Sequence, residues 1–128
     1  MTMWGTVAWF EIATADPDAA QTFYGEVFGW RAVKDEKGAA AGMDYRLITA
    51  AGATAPTGGI MATDGAMPGH AVFTVAVRDV AQTCATVERL GGTVVARHEA
   101  SESGPANAYV RDPAGNLFGL FTPPGGAA

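Results

Sequence analysis

Glu11 and His70 are the two side chains of this sequence best placed to move a proton. Glu11 sits inside the run Val7-Ala8-Trp9-Phe10-Glu11-Ile12, and His70 opens the run His70–Val77. A carboxylate set among aromatic and aliphatic neighbours is partly stripped of water, the setting in which carboxylates serve as general bases. An imidazole changes charge close to physiological pH and can hydrogen-bond a ligand or act as acid or base. Each has a plainer alternative. Glu11 also reads as the partner of an arginine across the sheet, Arg46 or Arg111, and His70 as a hydrogen-bonding residue at a strand end. Around them, Trp9 and Phe121 offer rings to a planar ligand, or else plain core contacts. Thr74, Tyr45, Asn107 and Tyr109 offer polar contacts within a mostly apolar cavity.

The remaining polar groups read as structural. Cys84 has no basic neighbour that would make it a thiolate, so it reads as core. Arg111 and Asp112 flank a turn, and His98-Glu99 ends a strand at the surface. No Ser-His-Asp spacing, glycine-rich phosphate loop, paired cysteines or basic-aromatic stripe is present.

The elements that must position these residues follow from periodicity. Val72, Phe73, Val75 and Val77 make a run too short for a helix, hence a strand over His70–Val77. Asp79 caps a helix over Val80–Leu90, with Gln82 as its capping partner and Val80, Cys84 and Val87 as its apolar stripe. Gly91-Gly92 stops it, and Thr93–His98 is the next strand. The first half repeats this plan at an offset of about 62 residues, roughly half the chain. There Gly5–Ala13 is a strand, and Asp16-Pro17 opens a helix over Asp16–Phe28 with Ala19, Phe23 and Val27 as its stripe and Ala20, Tyr24 and Phe28 beside it. Trp30–Asp35 is strand two, Glu36-Lys37-Gly38 and the following alanines a turn, Met43–Thr49 strand three, and Gly58–Ala62 strand four. In the second half Ala106–Arg111, a tight turn over Asp112–Asn116 and Leu117–Phe121 complete the set. The expected fold is α+β: two βαβββ modules related by a pseudo-twofold, their sheets curved around a shared cavity with helices outside. Module one covers about 4–62, a linker 63–69, module two about 70–123, and 124–128 is a disordered tail. Strand alternation puts Trp9, Glu11, His70, Val72 and Thr74 on the cavity face and Phe10, Ile12, Phe73, Val75 and Val77 beneath the helices.

At 128 residues, with 48% hydrophobic and 16% charged residues, the chain is one globular domain. A net charge of −5 with scattered basic residues excludes a nucleic-acid partner and an anionic membrane surface. One cysteine and no signal-like N-terminus point to a reducing cytoplasm.

The segments "FYGEVFGW", "PGHAVFTVAVRDV" and "RDPAGNLFGLF", in this order on a doubled βαβββ plan, resemble the vicinal oxygen chelate superfamily. That group includes glyoxalase I, bleomycin-resistance proteins and extradiol dioxygenases, and the likeness runs from about Gly5 to Pro123. It implies a cavity for a small organic ligand and a homodimer, which exposed sheet edges also favour. In metal-using members, ligands stand on strands one, four, five and eight. Those positions here are Trp9, the segment Gly58–Met61, His70 and Gly119, of which only His70 has a ligating side chain. No cofactor is therefore expected. "RDPAGNLFGLF" and "GGIM" also resemble a metal-poor, glyoxalase-like branch.

The leading expectation is binding of a small, partly apolar organic molecule without a metal. The alternative is a metal-independent lyase or isomerase in which Glu11 abstracts a proton and His70 stabilises the enolate oxygen. A divalent-metal glyoxalase or dioxygenase and a partner-binding module stand behind these two.

Overall fold

The computed structural model describes residues 4–40, 42–65, 68–102 and 104–123. Their elements run β1 (Val7–Thr14), α1 (Pro17–Phe28), β2 (Arg31–Lys34), α2 (Glu36–Ala40), β3 (Tyr45–Thr49), β4 (Gly58–Ala62), β5 (His70–Ala76), α3 (Val80–Arg89), β6 (Thr93–His98), β7 (Asn107–Arg111) and β8 (Leu117–Phe121). The fold is α+β, and the βαβββ plan occurs twice as expected. The Glu36–Ala40 stretch is a correction. Instead of a plain turn it winds into a short helix, with Ala39 N donating to Asp35 O at 2.9 Å. Alanine is the best helix former, and here it outweighs the single Gly38. The strand ends shift by one or two residues. The expected tail at 124–128 lies outside the described residues, as do 66 and 67 of the expected linker.

The chain forms two compact units. One is Trp9–Ala71; the other runs from Val72 onward and includes the segment up to Ala8. In the first unit the strand order is β2-β3-β4-β1, with β1 parallel to β4 and β3 antiparallel to both its neighbours. Glu11 stands opposite Gly59, and Tyr45 opposite Met61. Alternation then gives this sheet two distinct faces. Phe10, Ile12, Arg46, Ile48, Gly58 and Ile60 share one, and Trp9, Glu11, Ala13, Tyr45, Leu47, Gly59 and Met61 the other.

α1 covers the first of these faces. Asp16 caps it by accepting from Ala19 N at 3.0 Å, Pro17 occupies the first turn, and Gly29 ends it with φ 73°. Its expected stripe is corrected. Phe23 and Val27 are more than half exposed, while Ala20, Gln21, Tyr24 and Gly25 face inward. The cause is Arg46, whose side chain rises from the sheet, only 7% exposed, to meet the helix. It donates to Gln21 Oε1 at 2.8 Å and pairs with Asp18 at 2.8 Å and Asp44 at 3.0 Å. An inward glutamine is needed at that contact. Beside it Tyr24 stacks on Trp30, which packs on Phe10, and Ile48 and Ile60 form the buried floor.

The second unit has the order β5-β8-β7-β6. Its core joins Val80 and Cys84 of α3 to Ala108, Val110 and Leu120, with Val75, Val77, Val87, Val94 and Phe118 around them. The α3 stripe and the core position of Cys84 are as expected, and burial raises the Cys84 thiol's pKa. Asp79 caps α3 by accepting from Gln82 N at 3.1 Å. Phe73 departs from expectation: it is 48% exposed and stacks on Phe118. Arg111 and Asp112 hold the last turn. Arg111 donates to Gly115 O at 2.9 Å, and the Asp112 carboxylate accepts from Asn116 and Ala114.

Candidate functional site

Four of the candidate residues meet on one face of the first unit. Trp9 and Glu11 are two apart on β1 and so project to the same side. Tyr45 belongs to β3, one strand beyond β4, and its ring reaches back across β4 over Gly59. The Trp9 indole N–H donates to the Tyr45 hydroxyl at 2.9 Å, and that hydroxyl donates to Glu11 Oε2 at 3.3 Å. Glu11 Oε1 lies 3.3 Å from His70 Nε2. The Glu11 and His70 side chains are only 11% and 10% exposed.

The proton assignments follow from the chemistry of the groups. An ionised carboxylate only accepts, so His70 carries its proton on Nε2 when it bonds Glu11. Tyr45 is held protonated, its pKa pushed well above the ordinary phenol value of 10.0, first by burial and then by the nearby Glu11 charge. Tyr45 and His70 thus both donate to Glu11, each at a length beyond the usual hydrogen-bond mode. Loose bonds of this kind are common at catalytic groups before substrate binds. Glu11 does not pair with Arg46 or Arg111, which are engaged with Asp18 and Asp44 and with Gly115 O.

A raised phenol pKa has a definite consequence for stability. The unfolded chain ionises this tyrosine near pH 10, whereas the folded chain keeps it protonated. The stabilisation is therefore complete below pH 10 and is lost as pH climbs beyond it. Alkaline melts should show wild type losing stability above pH 10 more steeply than Tyr45→Phe. The absorbance step at 295 nm up to about pH 11 should be equal in the two proteins, because Tyr45 does not contribute to it.

The other candidates gather in the second unit. Thr74 lies opposite Gly119, Tyr109 opposite Gly119, and Asn107 opposite Phe121, so these side chains share one face of that sheet. Thr74 is buried, and Asn107 donates to Pro105 O at 3.1 Å. Sequence reasoning missed Gly59. Its signal was the doubled glycine of the GGIM segment, whose use depends on which ring lies above each residue.

Residues 6–120 match the profile of the Glyoxalase/Bleomycin resistance protein/Dioxygenase superfamily. The chain belongs to that superfamily. It is 36% identical over 124 residues to the putative glyoxylase CFP32 of Mycobacterium tuberculosis, and equally to that of Mycobacterium bovis. The match takes in 93% of this chain and 44% of those relatives, so the chain spans less than half their length. Among solved structures, methylmalonyl-CoA epimerase from Mycobacterium tuberculosis superposes with TM-score 0.62 at 18% identity, covering 95% of this chain and 93% of that one. The Mn(II)-bound glyoxalase from Novosphingobium aromaticivorans gives 0.58 at 21% identity, over 93% of this chain and 39% of that one. At these identities the likeness is one of fold.

The superfamily's metal can be tested against the residues present. A catalytic divalent site needs about three protein ligands and an open position. Among the described residues no three His, Cys, Asp or Glu side chains come together. Glu11 and His70 supply two donors, already bonded to one another, and the tryptophan and glycines at the other superfamily positions supply none. Among the described residues this donor set falls short of the three ligands such a site needs. No helix among the described residues is long and apolar enough to cross a membrane.

Proposed function

We propose that the chain binds a small, partly apolar carbonyl compound against the Glu11 face of its first unit and moves a proton on the carbon next to the carbonyl, without a resident metal. The observation that carries this is the buried Glu11 carboxylate, held by long bonds from Tyr45 and His70. Leu47, Met61 and Ala13 share that face and suit the apolar part of such a ligand. Glu11 takes the proton, the C–H electron pair becomes the C=C of an enolate, and the carbonyl π pair moves onto oxygen. Once protonated, Glu11 is a poorer acceptor for His70, and the His70 Nε2–H can turn to stabilise the enolate oxygen. Return of a proton from Glu11 gives back an exchanged or isomerised compound, with no net oxidation and no atom lost.

The test is proton exchange in deuterated water, followed by NMR on a panel of thioesters, 2-oxo esters and hemithioacetals of 2-oxoaldehydes. Enzyme-dependent deuterium uptake beside the carbonyl, lost in Glu11→Gln, is the expected result. Tight binding of a panel member with no exchange would instead favour passive sequestration, for which the Trp9 and Tyr45 rings provide surface. Added Mn²⁺, Zn²⁺ or Mg²⁺ should leave the melting temperature unchanged. Metal at about 100 times its Kd would add about 2.7 kcal/mol of stability, and a rise of several degrees would refute the metal-free reading.

A further inference from the structure

Gly58 and Gly59 are consecutive on β4 and so face opposite sides of the sheet. Each lies beneath an aromatic ring. A Cβ placed on Gly58 would run into the Phe10 ring, and one on Gly59 into the Tyr45 ring, including its hydroxyl oxygen. Neither glycine is among those with positive φ, so backbone conformation does not call for glycine at either place. What both provide is space. At Gly59 that space has a chemical use, because β4 separates Tyr45 on β3 from Glu11 on β1. Neighbouring strands are about 4.8 Å apart, so a tyrosine two strands away reaches β1 only by lying flat across the strand between.

We propose that Gly59 is a positioning residue: the missing Cβ lets the Tyr45 ring lie against β4, and this delivers the Tyr45 hydroxyl to Glu11. The functional half of this inference rests on the proton-transfer reading above; the geometric half does not. Gly58 is its internal control. It seats Phe10 on the α1 side, where substitution costs packing but leaves the Trp9–Tyr45–Glu11 bonds in place.

The experiment compares Gly59→Ala, Gly58→Ala and wild type by three readouts. These are the Trp9 indole N–H resonance and its solvent exchange, the 295 nm titration, and the deuterium-uptake rate. In Gly59→Ala the displaced phenol should release the indole N–H to faster exchange and add one tyrosine to the absorbance step below about pH 11. The uptake rate should fall by about 100-fold, the usual cost of misplacing a group near the chemistry by an ångström. Gly58→Ala should lose stability with all three readouts unchanged. An unmoved indole and phenol in folded Gly59→Ala would overturn the inference. A displaced phenol with an unchanged rate would keep the placement and overturn the proton-transfer reading. Should Gly59→Ala fail to fold, the double variant Gly59→Ala/Tyr45→Ala decides: folding restored by removing the ring supports the inference, and a double variant that is also unfolded overturns it.

Discussion

Glu11→Gln is expected to slow proton exchange by about 10²–10⁴-fold while leaving the melting temperature equal to or above that of wild type. The rate loss follows because an amide cannot accept the proton, and it corresponds to about 3–5 kcal/mol of barrier at 1.36 kcal/mol per tenfold. The stability half follows from the surroundings. The amide keeps the size of the carboxylic acid, still accepts from the Tyr45 hydroxyl, and turns an NH₂ toward His70, whose other tautomer accepts it. A charge is thereby removed from a site only 11% exposed, where charge is costly to hold. Parallel assays of exchange and thermal melting check both halves. A drop of several degrees in the melt would instead mark Glu11 as a structural tie between β1, β3 and β5.

Ile60→Ala should cost about 2–5 kcal/mol, measured as a lower urea midpoint at constant slope. Ile60 is fully buried on the α1 face of β4, the strand between β1 and β3, opposite Ile12 and Arg46. Truncation there removes contacts on both sides at once and leaves a cavity that two paired strands cannot easily collapse. Against a typical total of about 5–15 kcal/mol, this is enough to unfold a marginal domain. Phe23→Ala is the contrast. Phe23 is the larger side chain, yet it is 59% exposed, and its loss should cost under about 1 kcal/mol.

The secondary structure was largely legible because its signals are local. Asp16-Pro17 and Gly29 bracket α1, and the alternation through Trp9, Phe10, Glu11 and Ile12 assigned both faces of β1 correctly. What could not be read depends on partners brought from elsewhere in the chain. The inward face of α1 is set by Arg46, a residue 25 positions beyond Gln21, so the most apolar line of the helix was the wrong guide. The sequence offers Arg46 and Arg111 as partners for Glu11, but Arg46 is taken by Asp44, two residues away, and by Asp18. Tyr45 lies on a strand whose residues are apolar on both faces, and only its register with Met61 showed where it points. Likewise strand alternation puts Phe73 with Val75 and Val77 beneath a helix, whereas it is stacked on Phe118 and half exposed.

The parallel pairing of β1 with β4 also bears on how the site comes into being. Parallel neighbours cannot be joined by a tight hairpin, so α1, β2 and β3 must all be traversed before β1 finds its partner. The Trp9–Tyr45 bond closes a sequence gap of 36 residues, and the Glu11–His70 contact one of 59. Contacts of such high order are entropically expensive and form slowly. On the ribosome, β1 therefore waits unpaired until β4 has emerged, and Glu11 acquires His70 only after synthesis has passed the middle of the chain. Refolding followed by the Trp9 indole signal should accordingly lag helix formation followed by far-ultraviolet circular dichroism.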